Sequence, residues 1–189
     1  MLRTLTASLR GTAVQRGTWV TVAAVCGLAL TTALAAHVRL HLPFSPVPVT
    51  LQTFVVLLGG AVLGARAGVA GQLLYLGLGV AGAPVFAGGA TLLTIPTAGY
   101  LAAFPMAAWI VGVAAARESR TALPLGLLAA TALIYLFGSA WLAAWTGQSY
   151  GTALTLGALP FIPGDVMKMV AVLGVAKLGR RGYLACRGE

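Results

Sequence analysis

Apolar residues run through this chain in long stretches, and the breaks between them hold nearly all of its cations. A membrane-spanning helix needs roughly 20 apolar residues, or about 17 where the bilayer thins or flanking residues snorkel. By that measure the first span runs from Trp19 to Ala36, the second from Thr50 to Leu63 and the third from Val69 to Ala81. The fourth runs from Ala98 to Ala116, the fifth from Leu123 to Trp145 and the last from Gly164 to Leu178. The second and third are short, are joined through residues 64–68, and also read as interfacial or re-entrant pieces. The pattern predicts an all-α integral membrane protein with about six transmembrane helices. It forms a single transmembrane domain over residues 1–189, with a basic N-terminal segment at 1–18 and a basic tail at 179–189.

Composition agrees. The chain is 59% hydrophobic and 8% charged, with a mean hydropathy of +0.95. Soluble domains carry about 25% charged residues because a water-facing surface needs them, so this surface must face membrane lipid. The net charge of +9 raises nucleic acid as a partner. That partner needs cations gathered on one face or interleaved with stacking aromatics, and these cations lie in short clusters between apolar runs, so no nucleic acid is expected. The basic stretch from Met1 past Arg16, with no small-residue cleavage site after a short apolar core, does not read as a secretory signal. Cys26 and Cys186 have no metal-binding or disulfide spacing, and no metal or other cofactor is expected.

The cations also orient the bundle. With the N-terminus in the cytoplasm, Arg3, Arg10, Arg16, Arg66, Arg117, Arg120, Lys177, Arg180, Arg181 and Arg187 all fall inside, which is ten of the twelve Lys and Arg residues. Arg39 lies in an outer loop and Lys168 within a helix. Lys and Arg near span ends stay in the cytoplasm, so a multi-pass protein of the cell membrane with both termini cytoplasmic is expected. The outer connections, 37–50, 82–100 and 146–165, are instead rich in Pro and Gly, nearly uncharged, and carry Phe44, Phe86, Tyr100 and Phe161. Irregular backbone at membrane depth is tolerated where it is buried in protein or lines a cavity. These connections are therefore expected to fold over the bundle as a lid on a pocket, the plainer reading being that they cap helix ends.

Asp165 and Lys168 carry the chemistry. Asp165 is the one acid within the apolar part of the chain, and Lys168 is the one lysine before Lys177. Three apart, they share a helix face. A charge at the centre of a spanning helix costs about 2.5–3.5 kcal/mol on insertion scales, and such groups mark pathways, relays or ligands. The structural alternative is a capping aspartate in the first turn, favoured by the helix dipole, with a snorkelling lysine. As a ligand pair, a carboxylate that only accepts hydrogen bonds and an ammonium that only donates them match a cyclic urea or lactam, which shows N–H groups beside a carbonyl.

Catalysis finds little support. His37 and His41 flank Arg39 at an interface without a carboxylate nearby, no serine stands in a nucleophile elbow, and no glycine-rich loop leads to a phosphate-binding lysine. A secondary transporter or channel using Asp165 and Lys168 as coupling groups is the competing transport reading. Small residues four apart, including Gly60, Gly64 and Gly68, allow helix backbones to approach closely. The stripe of Ala29, Ala33 and Ala36 is the candidate face for docking another membrane protein.

Four blocks carry a resemblance: residues 42–68 ("LPFSPVPVTLQTFVVLLGGAVLGARAG"), 75–89 ("YLGLGVAGAPVFAGG"), 96–105 ("PTAGYLAAFP") and 159–170 ("LPFIPGDVMKMV"). In these the chain resembles the BioY family, the biotin-specific substrate-capture subunits, or S components, of energy-coupling-factor (ECF) vitamin transporters. The resemblance implies a biotin-binding S component that takes biotin from outside, with Asp165 and Lys168 on the ureido ring and Gln52 and Phe86 in the ligand-binding set. Neither Arg nor Asn occurs between Arg66 and Arg117. The remaining polar ligand groups must then come from Thr91, Thr94, Thr97, Tyr100 or the backbone amides at Gly88 and Gly89, with Arg39 as the outer cation. The implied partners are biotin, a transmembrane coupling protein and two cytoplasmic ATPase subunits.

Overall fold

The computed structural model describes the backbone of residues 2–87, 94–117 and 119–187, and the side chains of 18–87, 94–117 and 119–178. Among the described residues there are six α-helices: α1 (Leu2–His37), α2 (Gln52–Val80), α3 (Ala98–Ala115), α4 (Ala122–Thr146), the short α5 (Tyr150–Gly157) and α6 (Ile162–Arg187). A two-stranded antiparallel ladder of β1 (Arg39–Leu40) and β2 (Val49–Thr50) joins α1 to α2, with Arg39 opposite Thr50. A 3-10 turn at Leu159–Phe161 leads into α6.

Five segments among the described residues are long and apolar enough to cross a membrane, rather than six: Thr18–His37, Gln52–Val80, Ala98–Ala115, Ala122–Thr146 and Tyr150–Leu178. The difference lies in α2, which takes up both the second and third predicted spans. At Gly64 the backbone leaves the helix (φ 81°, ψ 173°), in a region that only glycine enters freely. The two halves of α2 fold back on each other there. Gln52 Nε2 donates to Tyr75 Oη at 2.7 Å, whereas 23 residues of straight helix would separate them by about 34 Å at 1.5 Å per residue. The expected five-residue connection at 64–68 is thus a reversal at one glycine, with Ala65 onward already helical.

Between apolar helices in lipid the hydrophobic effect supplies no drive, so close van der Waals packing holds them together. The small residues provide it. A side-chain carbon at Gly60 would sit 2.5 Å from the Ala108 carbonyl oxygen of α3, and one at Gly112 of α3 would meet the backbone of Ala65 beside the reversal. Leu28 of α1 fills the notches at Gly59 and Gly71, one on each half of α2. Ala29, Ala33 and Ala36 are buried in this contact, at 2%, 8% and 0% exposure. The alanine stripe is therefore internal packing and is not a free docking face. The outward face of α1 carries Val22, Leu30 and Leu34, and exposed Trp109, Leu125, Leu128, Met167 and Val170 continue the apolar surface on other helices. In water such a surface would be a liability; it suits hydrocarbon.

Two of the outer connections, 37–50 and 146–165, are more ordered than the composition implied. Residues 150–161, expected as loop, form α5 and the 3-10 turn, because Ser149 caps α5 by accepting from the Thr152 N–H at 3.2 Å. Ser45 Oγ donates to the Leu156 carbonyl at 2.7 Å, tying the β-ladder connection to α5. Phe86, Tyr100 and Phe161 are buried, but Phe44 is 56% exposed and covers nothing.

Candidate functional site

Asp165 and Lys168 lie in the first two turns of α6, which starts at Ile162 with Pro163 just inside it, where the rigid ring and missing N–H of proline are tolerated. They face inward: Asp165 is 4% exposed, while Val166, Met167 and Val170 beside it point out. Lys168 Nζ donates to Asp165 Oδ1 at 2.7 Å, to the Thr50 carbonyl at 2.8 Å and to Thr53 Oγ1 at 2.8 Å. Thr53 Oγ1 donates in turn to Asp165 Oδ1 at 3.1 Å, and Tyr135 Oη donates to Oδ2 at 2.5 Å. One ion pair therefore joins β2, the start of α2, the middle of α4 and the start of α6.

An ammonium has three N–H donors and a carboxylate about four acceptor positions. Here all three donors and three of the four acceptors are used by the protein. A buried charge with no partner would be strongly destabilising, and the network removes that penalty. A capping role near the helix dipole is also consistent with Asp165, but a cap does not explain why Tyr135 and Thr53 converge on it from two other helices.

The network forms one wall of a cavity with about 50 Å³ of space open to the centres of water-sized molecules, several times what one buried water needs. Its lining includes Val47, Pro48, Val49, Thr50, Gln52 and Thr53 from the β2–α2 junction, and Ala87 and Thr97 from the connection before α3. Tyr100, Leu101 and Phe104 of α3, Ile134 and Tyr135 of α4, and Gly157 and Phe161 complete it with the ion pair. Most of this wall is apolar, with a few convergent polar groups at one end, the usual make-up of a small-molecule site.

Of the residues expected at the site, Asp165, Lys168, Gln52, Thr97 and Tyr100 line the cavity. Phe86 stands behind it, buried at 1% exposure and packed edge-on against Tyr75 with ring centroids 5.5 Å apart. Arg39 is exposed on β1 and is not part of the lining, although its strand partner Thr50 is. Gly88, Gly89 and Thr91 lie outside the described residues, and Thr94 is exposed. Tyr100 has a structural tie as well, donating to the Gly157 carbonyl at 2.8 Å. Gln52, Tyr75 and the Val85 carbonyl form a chain at 2.7 and 3.3 Å that holds the start of the 82–97 connection to the bundle.

Tyr135, Thr53 and the Thr50 carbonyl are the partners that sequence reasoning missed. A weak signal for Tyr135 was present, since it is the one phenol in the apolar run 122–146, but Thr131 and Ser139 stand four residues to either side and compete with it. Thr53 closes the Pro-Val-Pro-x-Thr-Leu-Gln-Thr block at 46–53. The Thr50 carbonyl had no signal, because a main-chain oxygen has no letter of its own.

Comparison with known proteins gives a consistent result. The model of the BioY family matches residues 7–184. A probable biotin transporter BioY of Pyrococcus horikoshii is 39% identical over 142 residues, covering 74% of this chain and 84% of that protein. The biotin transporter BioY of Rhizobium etli is 34% identical over 168 residues, covering 82% and 89%. In three dimensions the chain is similar to the crystal structure of the S-component for biotin from an ECF-type ABC transporter. The TM-score is 0.77 at 22% identity over 88% of this chain and 93% of that one, a likeness of fold.

Proposed function

The chain belongs to the BioY family, and from that membership we propose that it is the biotin-binding, substrate-capture subunit of a vitamin uptake transporter. It is a multi-pass membrane protein, and its cavity takes the ureido head of biotin against Asp165 and Lys168. The observation that carries this reading is the buried ion pair on the cavity wall, with its supporting hydroxyls from Thr53 and Tyr135. A ureido ring has two N–H donors and one carbonyl acceptor, the complement of a carboxylate beside an ammonium. Because the protein already uses the lysine's donors, the incoming ring exchanges with internal partners rather than filling idle ones. The ureido carbonyl replaces one acceptor of Lys168, and the ureido N–H groups take the open position on Asp165 and displace one of its present donors. A ligand without this donor and acceptor pattern would break the network without replacing it, at roughly 1–3 kcal/mol for each group left unpaired.

The cavity faces outward and both termini are cytoplasmic. Reversal of α2 at Gly64 supports this, since it returns the chain to its starting side within one helix and leaves Arg66, Arg117, Arg120 and Lys177 at the end away from the cavity. In uptake it works with ECF-type components, a transmembrane coupling protein and two cytoplasmic ATPases. A channel or ion-coupled carrier would need charged or polar groups lining a path through the bundle, and the charged groups set into the bundle among the described residues, Asp165 and Lys168, lie together at one end.

The test is isothermal titration of biotin into the purified protein in detergent, without nucleotide or ion gradient. Tight, stoichiometric binding is expected, weakened about ten- to a hundredfold by Asp165→Asn and by Lys168→Met, the loss of one charge-assisted hydrogen bond. Unchanged affinity in both variants would return the pair to a structural role.

A further inference from the structure

Arg39 stands where a cation is least expected. Arg66, Arg117, Arg120 and Lys177 gather at the end of the bundle away from the cavity. Arg39 lies at the other end, on β1, directly opposite Thr50, and Thr50 lines the cavity. Residues directly opposite in an antiparallel pair have Cα atoms about 5 Å apart and side chains on the same face of the ladder. Arg39 is therefore a residue of the cavity rim, exposed to solvent and outside the lining itself.

Its charge is not spent inside the protein. Among the described residues no side-chain hydrogen bond or ion pair holds the guanidinium, and the sequence offers no acid to neutralise it. Of the chain's 3 acids, Glu118 and Glu189 lie among the cations of 117–120 and 177–189, and Asp165 is the partner of Lys168. The three connections at the cavity end, 37–51, 82–97 and 147–161, contain His37, Arg39 and His41 and no Asp or Glu. The rim of the cavity thus carries a positive charge that nothing on this end of the chain balances.

Resting on the biotin reading above, we infer that Arg39 is an encounter site for the ionised tail of the ligand, which speeds the association of anionic molecules and leaves their release unchanged. A rim charge acts through solvent while the ligand approaches, whereas contacts inside the cavity decide how long it stays. Unit charges of opposite sign about 8 Å apart in water attract by slightly less than RT, roughly a twofold gain in ligand density at the mouth. Lipid and apolar helices to either side confine the field and enlarge that gain. Salt removes it, since at 0.1 M the charge is screened over about 10 Å. The selection this adds is kinetic: among molecules with a ureido head, those ending in an acid enter faster than those ending in an amide.

Surface plasmon resonance on the full chain in a neutral detergent tests this, with biotin and biotinamide as probes of the parent and of Arg39→Gln, Arg39→Glu and Arg39→Lys. At low salt the association rate of biotin is expected to fall about twofold in Arg39→Gln and about fivefold in Arg39→Glu, and to keep its parent value in Arg39→Lys. The dissociation rate is expected to be the same in all four. Biotinamide, which carries no charge, is expected to associate equally with all four, and about 0.5 M salt to remove the differences for biotin. Equal association of biotin with the parent, Arg39→Gln and Arg39→Glu overturns the inference and leaves the biotin assignment standing. So does an effect that falls on dissociation instead, which makes Arg39 a contact of the bound ligand, or one shared by biotinamide, which makes it a support of the ladder. Failure of the parent to bind biotin overturns both.

Discussion

Lys168 has three N–H bonds and the protein uses all of them, which makes its neighbours part of the ligand chemistry. Thr53 is the most exposed to test, because its hydroxyl accepts from Lys168 and donates to Asp165 at once. Thr53→Val keeps the shape and removes both bonds; biotin affinity should fall about tenfold or more, while Thr53→Ser should bind as the parent does. Loss in both variants would point to packing of the threonine methyl. Tyr135 stands alone on the other carboxylate oxygen. Tyr135→Phe leaves that oxygen short of a donor in an apolar setting, and should lower the thermal midpoint in detergent by an amount equivalent to about 1–3 kcal/mol. A midpoint equal to that of the parent would mean that solvent, and not Tyr135, satisfies this oxygen.

At the scale of elements, α2 is the piece on which the site depends. Its first half brings Gln52 and Thr53 to the cavity, its second half brings Tyr75 beneath the 82–97 connection, and the fold between them turns on Gly64. At φ 81° and ψ 173° a β-carbon strains the backbone even though open space surrounds it, so Gly64→Ala should cost about 1–3 kcal/mol of stability. Gly60 differs: its φ is ordinary, but a side chain there would strike the backbone of Ala108. Gly60→Leu should therefore separate α2 from α3 and abolish folding rather than strain it, seen as loss of a monodisperse peak in size-exclusion chromatography. If Gly60→Leu were tolerated and Gly64→Ala were not, the close α2–α3 contact would not be what holds the hairpin in position.

For the molecule as a whole, the proposed orientation rests on charge. Arg66, Arg117, Arg120 and Lys177 gather at the end of the bundle away from the cavity, and moving them across the bilayer would be costly. In a variant lacking Cys26 and Cys186, a cysteine at exposed Gln148 should react with an impermeant thiol reagent added outside intact cells, and one at exposed Ser119 should react only after permeabilisation. The reverse pattern would turn the cavity toward the cytoplasm and remove the reading of capture from outside.

What the sequence determined by itself was whatever depends on a one-dimensional measure. Hydropathy placed the spans close to their observed limits, with 98–116 predicted against Ala98–Ala115 and 123–145 against Ala122–Thr146, because the bilayer acts on each helix separately. It also isolated Asp165 and Lys168, since a charge in an apolar run stands out without knowledge of its neighbours. The BioY blocks added Gln52, Thr97 and Tyr100, which do line the cavity. Tertiary structure decided everything that depends on which surfaces meet. It joined two predicted spans into one helix folded at Gly64, buried the alanine stripe of α1 and left Arg39 outside the cavity. It also gave the ion pair its partners: a hydroxyl 30 residues away in α4, and a main-chain carbonyl of β2 and a hydroxyl at the start of α2, both more than 110 residues away. Hydrogen bonding is directional and short-ranged, so these partners follow from how the helices pack, which no count of apolar residues along the chain contains.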